Sequence, residues 1–258
     1  LCSYLCESID GAFGMKGDDE QTSQSEENRS FSAHQIRHMA EVRLLRPEEL
    51  DEKRIIHAFT PNREALNVFR ELRIQLLQRG GRKNFVLLVT TVAPGGGATF
   101  AALNLAAAFA LDNAKTALLV DCNFYNPTLE KLLFVDPEHG LTDFLEDQTL
   151  DVDDIIYASG IPRLRVIPVG HQRATGTEYY SSARMDKFVN GVRERYADRY
   201  IVLDGPPVGI FPDSRILADL CDFTLLVVPY GKVSQEQVQA AIEALPEDKL
   251  VGIVFNHG

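Results

Sequence analysis

Six short apolar runs recur along the chain: residues 85–90, 116–121, 164–169, 200–204, 223–228 and 250–255. Each is apolar almost throughout, which reads as a strand buried on both faces. Helical stretches separate most of them, at 98–111, 181–196, 214–220 and 234–245. Strand alternating with helix predicts an α/β fold, a mostly parallel sheet with helices on both faces. Such sheets take ligands at the carboxyl ends of their strands. Upstream, Pro61 is read as opening another helix, with Ala65, Phe69, Leu72 and Leu76 on one stripe and Gly80-Gly81 at its end. Residues 31–56 are mixed: Ile36, Met39, Val42 and Leu45 keep helical spacing until Arg46-Pro47-Glu48-Glu49 breaks it. Residues 10–30 carry almost no large apolar side chain and cannot offset their ordering entropy. The expected division is a disordered tail over 1–30, a helical linker segment over 31–60 and one domain over 61–258.

Composition narrows the function classes. The chain has 258 residues, 45% hydrophobic and 24% charged, with a formal net charge of −11. That balance opposes broad binding to nucleic acid. Four cysteines (Cys2, Cys6, Cys122 and Cys221) are too few and scattered for a disulfide framework and point to a reducing cytosol. Cys2 and Cys6 have the spacing of half a metal site, but no second pair answers them. No run reaches the roughly 18 apolar residues of a membrane span, and the start lacks the basic leader of a signal peptide.

The loop after the first strand holds the chemistry. Pro94-Gly95-Gly96-Gly97-Ala98-Thr99 leads into the Ala-rich helix. Three glycines at a strand-to-helix turn let backbone N–H groups curl inward, and the helix N-terminus adds partial positive charge: a cradle for phosphate. The plainer reading is a tight connection that uses glycine for φ > 0. A dinucleotide fingerprint is partly matched by Gly95, Gly97 and Asp121, but Phe100 stands where a small residue is required. A Walker A loop is matched by Gly97 and Thr99, with Ala98 where lysine belongs.

Further motifs extend the match. Phe69-Arg70-Glu71-Leu72-Arg73 precedes the loop and Asn104-Leu105-Ala106 follows it. Leu118-Leu119-Val120-Asp121, Gly140-Leu141-Thr142-Asp143-Phe144-Leu145 and Val166-Ile167-Pro168-Val169-Gly170 come next. Ser181-Ser182-Ala183-Arg184-Met185 and Val202-Leu203-Asp204-Gly205-Pro206-Pro207-Val208 complete the order, with Asp213 downstream. From Pro61 to Asn256 this resembles the bacterial tyrosine kinases of capsule and exopolysaccharide assembly, a P-loop family related to the division-site and plasmid-partition ATPases. The resemblance implies ATP or ADP with Mg²⁺ as cofactors. The phosphates would lie on Gly95, Gly96, Gly97, Ala98 and Thr99. Thr99, Asp121 and Asp204 would be metal ligands, and Asp121 and Asp204 would be the catalytic carboxylates. Their plainer reading is strand-end solubility and turn hydrogen bonding.

The departures cluster in that chemistry. Ala98 replaces the lysine that meets the β- and γ-phosphates, and Ala93 replaces the second lysine of the related ATPases. Asn123 replaces an aspartate of the second acidic motif, and Tyr125 and Asn126 stand where the family has arginines. The family places a helix and a tyrosine-rich tail after the last strand, beyond Asn256-His257-Gly258. Tyr179-Tyr180 is the one adjacent tyrosine pair, and packing is its expected role. In the family's ring-forming helix, Arg70 and Arg73 are kept while Asn67 lacks the charge for a strong cross-subunit pair; both arginines also suit a solvated helix face.

The resulting expectation is a degenerate kinase-like scaffold or regulator in polysaccharide synthesis or export, with nucleotide binding weak or absent. Its partners would be a membrane chain-length protein, a paired active kinase or further copies of itself, at the inner face of the membrane. The alternatives are a working kinase or ATPase with a remodelled site, and a nicotinamide-dependent enzyme.

Overall fold

The computed structural model describes residues 43–257 except 82, 134, 172–175 and 196–198. The tail expected over 1–30, and Cys2 and Cys6, lie outside the described residues. The apolar runs form the sheet. Its strands are β1 (Val86–Thr91), β2 (Thr116–Asp121), β3 (Tyr157–Ala158), β4 (Leu164–Ile167), β5 (Arg199–Asp204), β6 (Phe223–Pro229) and β7 (Leu250–Asn256). Their order is β3-β4-β2-β5-β1-β6-β7. Every pairing is parallel except β3 with β4. β1, β2 and β5 are buried at every position.

Alternate strand residues feed two cores. Leu87, Val89, Leu119 and Val202 join the core under α2 (Arg63–Arg79) and α3 (Ala98–Ala110). Val86, Leu88, Val120 and Leu203 join the opposite core, with Met185 and Phe188 of α7 (Ala183–Arg195) and Leu217 of α8 (Asp213–Leu220). This is the helix-on-both-faces arrangement the pattern predicts. Each large apolar side chain so buried contributes about 1.5–3 kcal/mol. Small side chains let α3 press flat on the sheet: Ala102, Ala106 and Ala108 are fully covered.

The remaining helices are α1 (Pro47–Glu52), α4 (Leu129–Leu133), α5 (Leu141–Glu146), α6 (Gly176–Tyr180) and α9 (Gln235–Glu243). Residues 43–46 are not helical, so the helical spacing that runs to Leu45 ends there, and a new helix, α1, begins at Pro47; Ile36, Met39 and Val42 lie outside the described residues. Pro47 stands at the helix start, where its missing N–H costs nothing, and Glu48 and Glu49 suit the first turn. Pro61 does not open α2; Asn62 caps it, its Oδ1 accepting from Ala65 N at 3.0 Å. The buried stripe uses Leu66 rather than Ala65. β4 stops at Ile167 because Pro168 and Val169 turn their carbonyls to Leu141 N and Thr142 N, at 2.9 and 2.8 Å, and so dock α5.

Residues 43–60 lie against the same body. Leu45, Leu50, Ile55 and Ile56 enter the core of α2 and α3. The fully buried Asn104 of α3 accepts from Ile56 N at 2.8 Å and donates to Phe100 O at 3.0 Å. No helix among the described residues is long and apolar enough to cross a membrane.

Candidate nucleotide site

β1 delivers the glycine loop at the centre of the sheet's carboxyl edge, and α3 leads away from it. Gly97 caps α3 in the left-handed region (φ +93°), with no side chain bonded to the first helical N–H groups. A β-carbon there would lie 2.2 Å from Asn256 Nδ2. At Gly96 it would lie 1.9 Å from Thr91 Oγ1, whose hydroxyl donates to Val227 O at 2.8 Å. Asn256, the last residue of β7, donates from Nδ2 to Gly96 O at 3.1 Å. The loop is thus pinned between β1 and β7 by side chains that leave room only for glycine. The Gly96 N–H is used within the loop, donating to Ala93 O at 3.1 Å; the uncapped start of α3 offers its first N–H groups to an anion.

Asp121 and Asp204 close the β2 and β5 strands as register partners, and both are fully buried. Asp121 accepts from Asn123 N (3.1 Å), Thr128 N (3.2 Å) and Leu129 N (3.3 Å). Burial nevertheless pushes its carboxyl up to about 7, against the pull of those N–H groups. Neither oxygen of Asp204 has a hydrogen-bond partner. Burial, then the Asp121 charge, hold its carboxyl well above the usual range; the Thr99 hydroxyl opposes them without a bond of normal geometry. Among the described residues, no lysine or arginine is seen to offset either charge.

The side chain of Ala98, nearly buried, offers the loop only a methyl group. Lys232, in the turn after β6, is exposed and has no hydrogen bond to the loop. Tyr125 points elsewhere: its ring stacks on Phe211 at 3.7 Å and its hydroxyl donates to Asp213 Oδ2 at 2.6 Å. Burial and the Asp213 carboxylate push that phenol up to about 12. Thr177 donates to the other oxygen of Asp213 at 2.7 Å. Asn123 Oδ1 is buried without a partner.

The tyrosine pair is packed, as expected. Tyr179 donates to Glu146 and Tyr180 to the Cys122 carbonyl, and Tyr180 stacks on Phe124 at 4.6 Å. Arg73 is not simply solvated: it donates to Ala108 O at 2.8 Å near the C-terminal end of α3. Sequence reasoning missed Thr91 and Asn256. Their places at strand carboxyl ends were visible in the sequence; their contacts with Gly96 and Gly97 were not.

The residues present suit Mg²⁺ with a phosphate ligand. An orphaned buried carboxylate, a second one beside it and a hydroxyl supply the oxygen donors that hard cation prefers. Among the described residues no group of three or more His, Cys, Asp or Glu could hold a metal ion alone. Mg²⁺ does not require one, since it keeps waters and takes phosphate oxygens.

A mostly parallel sheet with a glycine loop after β1 and two carboxylates at the ends of neighbouring strands defines an α/β protein of the P-loop fold. No protein-family model matches the chain. It is 34% identical over 184 residues to the tyrosine-protein kinase CpsD of Streptococcus pneumoniae, covering 70% of this chain and 79% of that protein. CpsD of Streptococcus agalactiae serotype III (strain NEM316) is 30% identical over 183 residues, covering 70% and 77%. Among solved structures, the kinase domain of the Escherichia coli tyrosine kinase ETK superposes with a TM-score of 0.70 at 22% identity, over 83% of this chain and 88% of that one. The chain belongs to the bacterial tyrosine kinase family.

Proposed function

We propose that this chain is a kinase-fold scaffold or regulator of capsule or exopolysaccharide assembly, in which tyrosine phosphotransfer is lost or severely impaired. The observation that carries the reading is a charge imbalance at the site. Asp121 and Asp204 are buried side by side, and the loop residue beside them is Ala98. A triphosphate brought there meets two acidic side chains and, among the described residues, no lysine or arginine bonded to them, and charge on a transferring phosphoryl group lacks its clamp. Gly95, Gly96, Gly97 and Thr99 would cradle phosphates, and Thr99, Asp121 and Asp204 would hold Mg²⁺. The metal would neutralise phosphate charge; the chain's own part is to position and desolvate. By family resemblance the partner is a membrane chain-length protein or an active kinase, met at the cytoplasmic face, and copies of the chain could associate.

A second reading, a working kinase or ATPase, is favoured by one observation: the oxygen donors for Mg²⁺ are intact. A cation from a neighbouring subunit would then complete the site. Incubation with γ-labelled ATP, Mg²⁺ and a tyrosine-containing acceptor separates the readings. The proposal expects transfer at least about a thousandfold below an active relative, the scale on which loss of a transition-state cation acts. Turnover at the 1–100 per second typical of kinases, as an order of magnitude, would reject it.

A further inference from the structure

A polar path joins residues 43–60 to the glycine loop. Asn104, fully buried in α3, accepts from Ile56 N at 2.8 Å and donates from Nδ2 to Phe100 O at 3.0 Å. The helix ladder already directs Asn104 N to that carbonyl, so the side-chain bond is a second one. Phe100 C=O and Ala101 N–H belong to one peptide group, and Ala101 N donates to Gly97 O at 3.0 Å. Gly97 C=O shares its peptide group with Ala98 N–H, at the uncapped start of α3. The donors Ile56 N–H, Asn104 Nδ2–H and Ala101 N–H therefore run in one direction, and the next donor in line, Ala98 N–H, belongs to the phosphate-binding turn. Amides bonded head to tail polarise one another. An anion on Ala98 N–H makes Gly97 C=O a better acceptor, and the effect passes through Phe100 C=O to Asn104 Oδ1 and the Ile56 bond.

We propose that Asn104 is a positioning residue that couples residues 43–60 to the glycine loop, an inference that rests on the reading of that loop as a phosphate cradle. A bound phosphate tightens the segment at Ile56. By linkage, whatever loosens the segment there weakens phosphate binding by the same factor. A contact made on residues 43–60 thus regulates the nucleotide site from outside it.

The test follows amide hydrogen exchange in the full chain with and without saturating Mg-pyrophosphate. Leu45 is the internal control: its N–H bonds to Gly160 O at 2.8 Å, in the same segment but off the path. Mg-pyrophosphate is expected to slow Ile56 at least about fivefold more than Leu45, the low end of coupling between sites. Asn104→Asp keeps an acceptor for Ile56 N–H but has no amide donor for Phe100 O, and is expected to abolish that excess. A purely structural role for Asn104 would lower the melting temperature of Asn104→Asp and leave the excess in place. Bound pyrophosphate that slows Ile56 and Leu45 equally in the unaltered chain, or an excess that survives in Asn104→Asp, would overturn the coupling and spare the cradle. Should Asn104→Asp fail to fold, the comparison within the unaltered chain decides. Failure of Mg-pyrophosphate to bind the unaltered chain would overturn both.

Discussion

The Ala98→Lys protein is expected to bind Mg-ATP about a hundredfold more tightly than the unaltered chain. A lysine about 4 Å from one phosphate charge interacts by up to ~4 kcal/mol at an effective dielectric of 20. About two-thirds of that corresponds to two decades of affinity. The opposing terms are smaller. A cation in the first turn of α3 works against the helix dipole by about 0.3–1 kcal/mol, and the dipole acts equally on the phosphate it attracts. Gly97 needs no change, since the left-handed turn already exists. Calorimetric titration of both proteins is the check. Equal affinities would mean that another cation already fills the position, which favours the working-enzyme reading.

Asp204→Asn is expected to make the Mg-free protein more stable at pH 8, raising its melting temperature by about 5–10 °C. Asp204 is buried beside Asp121 with neither oxygen bonded. Keeping it folded means either taking up a proton or holding a buried charge. Asparagine has the same shape and neither requirement; its unsatisfied amide costs about 1–3 kcal/mol, less than the charge does. A few kcal/mol net, at about 2–4 °C each for a domain of this size, gives the shift. The pH dependence has a definite sign. Asp121 titrates at about 7 when folded and at 3.8 otherwise, so the folded state holds the proton more tightly across that window. Its contribution is complete below pH 3.8 and is lost as pH rises through 7. Mg²⁺ should flatten the loss, and Asp204→Asn should remove that Mg²⁺ effect. A melting temperature lowered by Asp204→Asn would show that a cation already compensates Asp204.

How far the sequence carried this account depends on the kind of interaction. The continuous apolar runs became strands because a residue such as Leu88 or Leu119, placed in a fully covered strand, has few other uses. The glycine loop was legible because three glycines in succession serve backbone geometry and little else. Local chemistry is ambiguous where one residue type has two roles. A proline can end one helix and start the next, as Pro47 starts α1, and the helix after Pro61 is capped by Asn62. Long-range polar contacts were hidden. Nothing near Asn104 in the sequence points to Ile56, 48 positions away, nor anything near Asn256 to Gly96, 160 away. The same holds for Tyr125, whose departure from the family was plain but whose bond to Asp213 needed coordinates.

The loss of the cationic grip is tested most directly by calorimetric titration of the unaltered, full chain with Mg-ATP and Mg-ADP under identical conditions. The expected result is Mg-ATP affinity at least about a hundredfold below that of Ala98→Lys, with Mg-ADP bound at least as tightly as Mg-ATP. Mg-ATP binding near ~1 μM with a clear preference for the triphosphate would contradict it.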